Sequence, residues 1–120
     1  MIIKQYEIIQ AYKATEALKG NSNLSRQALW ELFNLRKLFS PHVEFQQEQE
    51  QDLQMKYMPY ADANGNIEGE PYRNYINEIK EIGNLDKEID YVPIELPTVE
   101  GFTLEIMEAL DPFIIFKKPE

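Results

Sequence analysis

The stretch Leu24–Met58, LSRQALWELFNLRKLFSPHVEFQQEQEQDLQMKYM, holds no glycine and reads as helix almost throughout. At about 100° per residue, Leu24, Ala28, Leu32, Leu35, Leu38, Phe39 and Val43 fall on one face. Leu29 and Phe33 widen that face, and Trp30 projects from the far side. A helix on a protein surface needs an apolar stripe of roughly 100°. This one is wider, so it is expected to pack between two partners: two parts of its own chain, or its own chain and another molecule. Ser40-Pro41 interrupts the pattern. Proline inside a helix costs about 3 kcal/mol, but at a first helical position it costs little, and Ser40 is a good N-cap. The reading is one long kinked helix, or two nearly continuous ones. Beyond Phe45 come seven polar residues, Gln46 to Asp52, which are expected to stand in solvent as a projecting arm or helical hairpin.

Towards the N-terminus, Met1-Ile2-Ile3-Lys4 reads as a short strand. Ile8, Ile9, Tyr12, Thr15 and Leu18 then repeat at helical spacing up to Lys19, where Gly20-Asn21 is a stop signal. Asn23 or Ser25 caps the central helix, and the short connection favours antiparallel neighbours.

In the other direction, Pro59 ends the long stretch. Asn64-Gly65 is the strongest short signal for a two-residue hairpin turn, so Met58–Ala61 and Ile67–Tyr72 are expected to form a small exposed ribbon. Tyr72, Tyr75, Ile76, Ile79 and Ile82 then mark a second clear helix, closed by Gly83-Asn84. Its aromatics are expected to contact the second half of the central helix. Val92, Ile94 and Leu96 alternate with Pro93, Glu95 and Pro97, as in an edge strand. Thr103 caps a short helix to Leu110. Phe113–Phe116 is a buried tetrad, either a strand or a last helical turn, and Lys117-Lys118-Pro119-Glu120 is a frayed tail. The predicted fold is a single α+β domain over residues 1–120. It consists of an antiparallel helical hairpin with a long kinked central helix, plus a small antiparallel sheet drawn from Met1–Lys4, the Asn-Gly ribbon or Ile89–Leu96. The helical arm and the ribbon occupy residues 44–73.

The 120 residues suit one domain with a core of its own, and the absence of cysteine excludes disulfides and thiolate metal sites. No signal-peptide layout and no run long enough to span a membrane are visible, so a cytoplasmic protein without membrane contact is expected. The net charge of −9 is uneven: residues 1–43 carry +3 and residues 44–120 carry −12. A nucleic-acid binder would show a basic stripe, so no direct nucleic-acid partner is expected. The asymmetry fits a basic helix packed on acidic ones, head-to-tail association, or an acidic face that meets a basic partner.

Signals for catalysis are weak. His42 is the only histidine and lacks a glycine-framed nucleophile; His42-Val43-Glu44 has only half of a zinc-deaminase signature. Glu44, Glu48 and Asp52 share a helical face at the spacing of a divalent-cation row, yet no Glu-x-x-His pair accompanies them. Asp62, Asn64 and Asn66 open like a calcium loop, but Ile67 and Arg73 stand where glycine and glutamate are required. No phosphate-cradling loop is present. The chain is therefore read as a non-enzyme without cofactor or metal. Its candidate interaction surface is Trp30, Glu44, Glu48, Asp52, Met55, Tyr57 and Tyr60.

The layout also resembles a family of small uncharacterised phage and prophage proteins of Gram-positive bacteria. The resemblance runs through Glu7-Ile8-Ile9-Gln10-Ala11-Tyr12, Leu35-Arg36-Lys37-Leu38 and the proline after it, and Asp62-Ala63-Asn64-Gly65-Asn66-Ile67. It continues through Tyr75-Ile76-Asn77-Glu78-Ile79, Glu88-Ile89-Asp90, and Gly101 ahead of Leu104, Met107, Ala109 and Leu110. At Asp111-Pro112 and the Phe-Ile run the chain departs from the family's more helical ending. The resemblance implies a phage origin and brings no catalytic residues. The exposed arm, Glu44–Met58, and the wide apolar face of the central helix motivate the expectation of an accessory protein that binds a phage or host protein, or a second copy of itself. The alternative is an acidic, nucleic-acid-mimicking inhibitor of a host defence nuclease, anti-CRISPR-like in action, motivated by the −12 of residues 44–120.

Overall fold

In the computed structural model, which describes residues 1–118, Leu24–Met58 becomes the spine of an α+β fold. The elements are β1 (Ile2–Lys4), α1 (Gln5–Ala17), α2 (Arg26–Tyr57), a 3-10 turn (Met58–Tyr60), α3 (Gly69–Gly83), β2 (Asp86–Glu88), β3 (Ile94–Pro97), α4 (Leu104–Leu110) and β4 (Ile114–Lys117).

Helix α2 starts at an N-cap, where Ser25 Oγ accepts from Ala28 N at 3.1 Å, satisfying a backbone donor that the helix itself leaves free. It runs as one helix through Pro41, so no second helix begins there. Contacts along α2 fix its two neighbours. Arg36 reaches Tyr12, Thr15 and Glu16, while Gln5 Nε2 donates to the His42 carbonyl at 2.8 Å and to Gln46 Oε1 at 3.2 Å. Descending α1 thus means ascending α2, and the pair is antiparallel, as expected. Farther along, Lys56 and Tyr57 meet Glu78 while Lys87 lies over the Phe45 ring, so α3 also runs antiparallel to α2.

Two apolar clusters hold these helices. The larger joins Ile8, Ala11, Ala14 and Leu18 of the α1 region to Ala28, Leu32, Leu35 and Phe39 of α2, and to Leu96, Leu110, Phe113 and Ile114. Phe39 and Phe113 meet edge to face at 4.8 Å between ring centroids. Complete burial of each such side chain contributes about 1.5–3 kcal/mol. The smaller cluster, Leu53, Tyr57 and Ile82 with Phe45, Ile67, Tyr75 and Ile79 at its edge, fastens the distal half of α2 to α3. Between them Gln46–Asp52 stays half-buried or exposed, a helical hairpin rather than a free arm. The molecule is long, 55 × 29 × 20 Å.

The strands form two separate ladders. β1 and β2 pair antiparallel, Ile3 opposite Lys87. β3 and β4 pair parallel, Ile94 opposite Ile114, which corrects the expectation of antiparallel pairing alone. The reason is the connection: residues 98–113 carry α4, and a crossover helix returns the chain in the same direction. Phe113–Phe116 thus resolves as strand from Ile114 on, and Lys117 closes β4 instead of fraying; Pro119 and Glu120 lie outside the described residues.

The Asn-Gly ribbon does not form. Met58–Tyr60 is a 3-10 turn, and α3 already begins at Gly69. Pro59 and Pro71 lack the amide hydrogens a ladder needs. The turn itself is present: Gly65, at φ +82°, donates to the Asp62 carbonyl at 3.0 Å. Asp62 Oδ1 accepts from Asn64 N at 2.8 Å and Asn66 N at 2.9 Å, and Asp62 N donates to the Asn66 carbonyl at 2.8 Å, so the loop closes on itself and its flanks do not continue as a ladder.

Candidate interaction surface

The core-facing side of α2 is fixed by residues 28, 32, 35 and 39, so positions offset by about half a turn must face outward. Trp30 is one of them and is 61% exposed. The width of the apolar face, however, is not consumed by the chain itself. Leu29 is 51% exposed and Phe33 is 52% exposed; the Trp30 and Phe33 rings lie 5.9 Å apart. Arg26 and Lys37, both exposed, bracket the stripe, with Lys37 Nζ 5.4 Å from the Phe33 ring centroid. Neither Arg26 nor Lys37 enters an ion pair among the described residues, whereas Arg36 turns inward to Glu16 at 2.7 Å.

Glu44, Glu48 and Asp52 form an exposed row along α2. Met55 and Tyr60 are also exposed. Tyr57 is the exception and corrects the expected surface: it is only 6% exposed. With Leu53 one turn earlier it faces α3, its ring meeting Tyr75 edge to face at 5.5 Å and its hydroxyl donating to Glu78 Oε2 at 2.5 Å. The hydrogen bonds from Lys56 and Tyr57 hold the Glu78 carboxyl below its usual range. The same bond to Glu78, together with burial, pushes the Tyr57 phenol up. Tyr57 therefore ties α2 to α3 and is largely withdrawn from the surface.

Around the tip the structure adds surface residues that were not among the expected contact residues. Met58, Ala61, Ile67, Tyr72 and Tyr75 line an open groove of about 690 Å³. Tyr72, expected in the core, is exposed because α2 has already ended beside it. Tyr60 lies in a second recess with Pro71, on the side of Tyr57. Residues 58–73 carry three carboxylates, Asp62, Glu68 and Glu70, against one basic residue, Arg73.

His42 sits half-buried beside the Pro41 turn, and burial, then the charge of Lys87, lower its pKa from the ordinary 6.5. Tyr91, whose hydroxyl donates to the Phe113 carbonyl at 2.9 Å, is pushed up to about 12 by burial and by Glu31. These groups stand apart from one another. Among the described residues no cluster of three or more His, Asp or Glu side chains is placed to hold a metal ion. No described helix is long and apolar enough to cross a membrane. Comparison with family models, with curated proteins and with solved structures finds no match for the chain.

Proposed function

We propose that the chain is a non-enzymatic phage or prophage accessory protein, working in the host cytoplasm by binding another protein. The observation that carries this reading is the exposed Leu29–Trp30–Phe33 stripe on a helix whose opposite side is locked into the core. Large aromatics presented on a rigid support lose little conformational entropy on docking, and tryptophan and arginine dominate the energetics of interfaces. Here Arg26 stands one turn from Trp30. The test is capture from phage-infected host lysate by the wild-type chain and by Trp30→Ala/Phe33→Ala. A partner retained by the first and lost by the second supports the reading; equal capture by both removes it, as does a chain that captures nothing and is strictly monomeric by light scattering.

The exposed row Glu44, Glu48 and Asp52 favours a second reading, the acidic mimic of nucleic acid. Four residues of helix advance about 6 Å per carboxylate, a coarser and shorter charge array than a duplex backbone offers. This reading requires salt-sensitive binding to a basic nuclease that Glu44→Gln/Glu48→Gln/Asp52→Asn abolishes and Trp30→Ala leaves intact.

A further inference from the structure

Two of the apolar surfaces left uncovered among the described residues differ in shape and in charge. The Leu29–Trp30–Phe33 stripe is the convex side of a helix, bracketed by Arg26 and Lys37. The tip groove is concave, floored by Met58, Ile67, Tyr72 and Tyr75, with Glu68 in its wall and Asp62 and Glu70 close by in the chain. None of these five charged side chains enters an ion pair among the described residues. Trp30 and Met58 lie on the same helical spine, separated by about 42 Å of rise, so one molecule's stripe cannot fill its own groove.

We propose that a second copy of this chain is the occupant: the aromatic stripe of one protomer seats in the tip groove of the next, head to tail. This rests on the reading above that the stripe is a protein-docking surface. Charge decides between this arrangement and the symmetric ones. Pairing the stripe with itself in antiparallel fashion sets Arg26 against Lys37 at both ends. Pairing two tips sets carboxylates against carboxylates. Of these three pairings, stripe against tip is the one that brings unlike charges together, and like-charge juxtaposition is a strong selector against wrong partners. A head-to-tail contact leaves one free stripe and one free groove on every assembly until it closes, so the product is a ring or an open filament. Methionine and tyrosine in the groove provide an adaptable apolar lining for an indole.

The test is light scattering of the full chain over a concentration series. The wild type is expected to gain mass with concentration and to lose it as salt rises. Trp30→Ala/Phe33→Ala and Met58→Ser/Tyr72→Ser alter exposed side chains and are expected to fold, as checked by thermal melting. Each is expected to weaken association at least about tenfold, the loss typical of removing an interface anchor. Mixing the two variants is expected to restore a contact and stop at a one-to-one dimer, because each retains the surface the other lacks. Arg26→Glu/Lys37→Glu is expected to weaken assembly, and Glu68→Lys/Glu70→Lys on the partner to recover it. A chain monomeric at every concentration overturns the proposal, as does a wild type that associates while the mixed variants stay apart. A monomer that still captures a lysate protein through Trp30 and Phe33 overturns self-assembly alone; a monomer that captures nothing overturns the proposed function as well.

Discussion

Tyr57 and Trp30 show how one residue's role turns on the neighbour it meets. Both are large aromatics on the same helix, yet one hydroxyl bond to Glu78 and a ring contact with Tyr75 draw Tyr57 inside, while the Trp30 ring meets Phe33 on the same exposed side of the helix. His42 is governed in the same way. Burial and Lys87 depress its pKa, so the folded chain takes up its proton at lower pH than the unfolded chain does. Stability from this group is therefore complete above about pH 6.5 and is lost as pH falls through the depressed folded value. Urea midpoints of the wild type are expected to rise from pH 5 to about pH 6.5 and level off above it, and His42→Asn is expected to flatten that rise. An unchanged slope would show that other groups set it.

At the scale of the element, α2 carries a proline in its interior, and the surrounding contacts keep the helix going. Gln5 donates to the His42 carbonyl one residue beyond Pro41, and Phe39, fully buried two residues before it, anchors the preceding turn on Phe113. Packing against α1 and β4 thus offsets a local cost of about 3 kcal/mol. Pro41→Ala restores the missing backbone donor in an exposed position, at the expense of a looser unfolded chain. It is expected to stabilise the protein by about 2 kcal/mol, read as a higher denaturation midpoint. A destabilised variant would mean that the shape imposed by Pro41 is needed for the packing around it.

Across the whole molecule, stability is divided unequally. The main cluster draws on α1, α2, α4, β3 and β4, whereas the distal hairpin rests on Leu53, Tyr57 and Ile82 and a few half-buried neighbours. Regions with few buried apolar contacts open locally at lower free energy than the global transition. Amide hydrogen exchange is therefore expected to be slowest in Ile8–Thr15 and Ala28–Phe39, and faster in Leu53–Tyr57 and Tyr72–Ile79. Equal protection at both ends would contradict a two-cluster molecule. The division also suits a docking role: the stripe is carried by the stable end, and the groove by the end that can adjust.

The sequence by itself determined the helices, because their signals are local. The 3.6-residue repeat of Ala28, Leu32, Leu35 and Phe39, the cap at Thr103 and the stop at Gly83-Asn84 act over a few residues and appear where the spacing places them; of the two candidate caps for α2, Asn23 and Ser25, it is Ser25. The position of the Asn64-Gly65 turn was equally legible, but its surroundings were not, since a hairpin turn makes a ribbon only if both flanks can ladder. Tertiary structure decided the parallel pairing of β3 with β4, the burial of Tyr57, and the exposure of Leu29, Phe33 and Tyr72. A hydrophobic pattern states that a face prefers cover. Whether the same chain provides that cover depends on where distant elements end in space, and here α1 and the β3–α4–β4 unit cover one side of α2 and leave the aromatic stripe open.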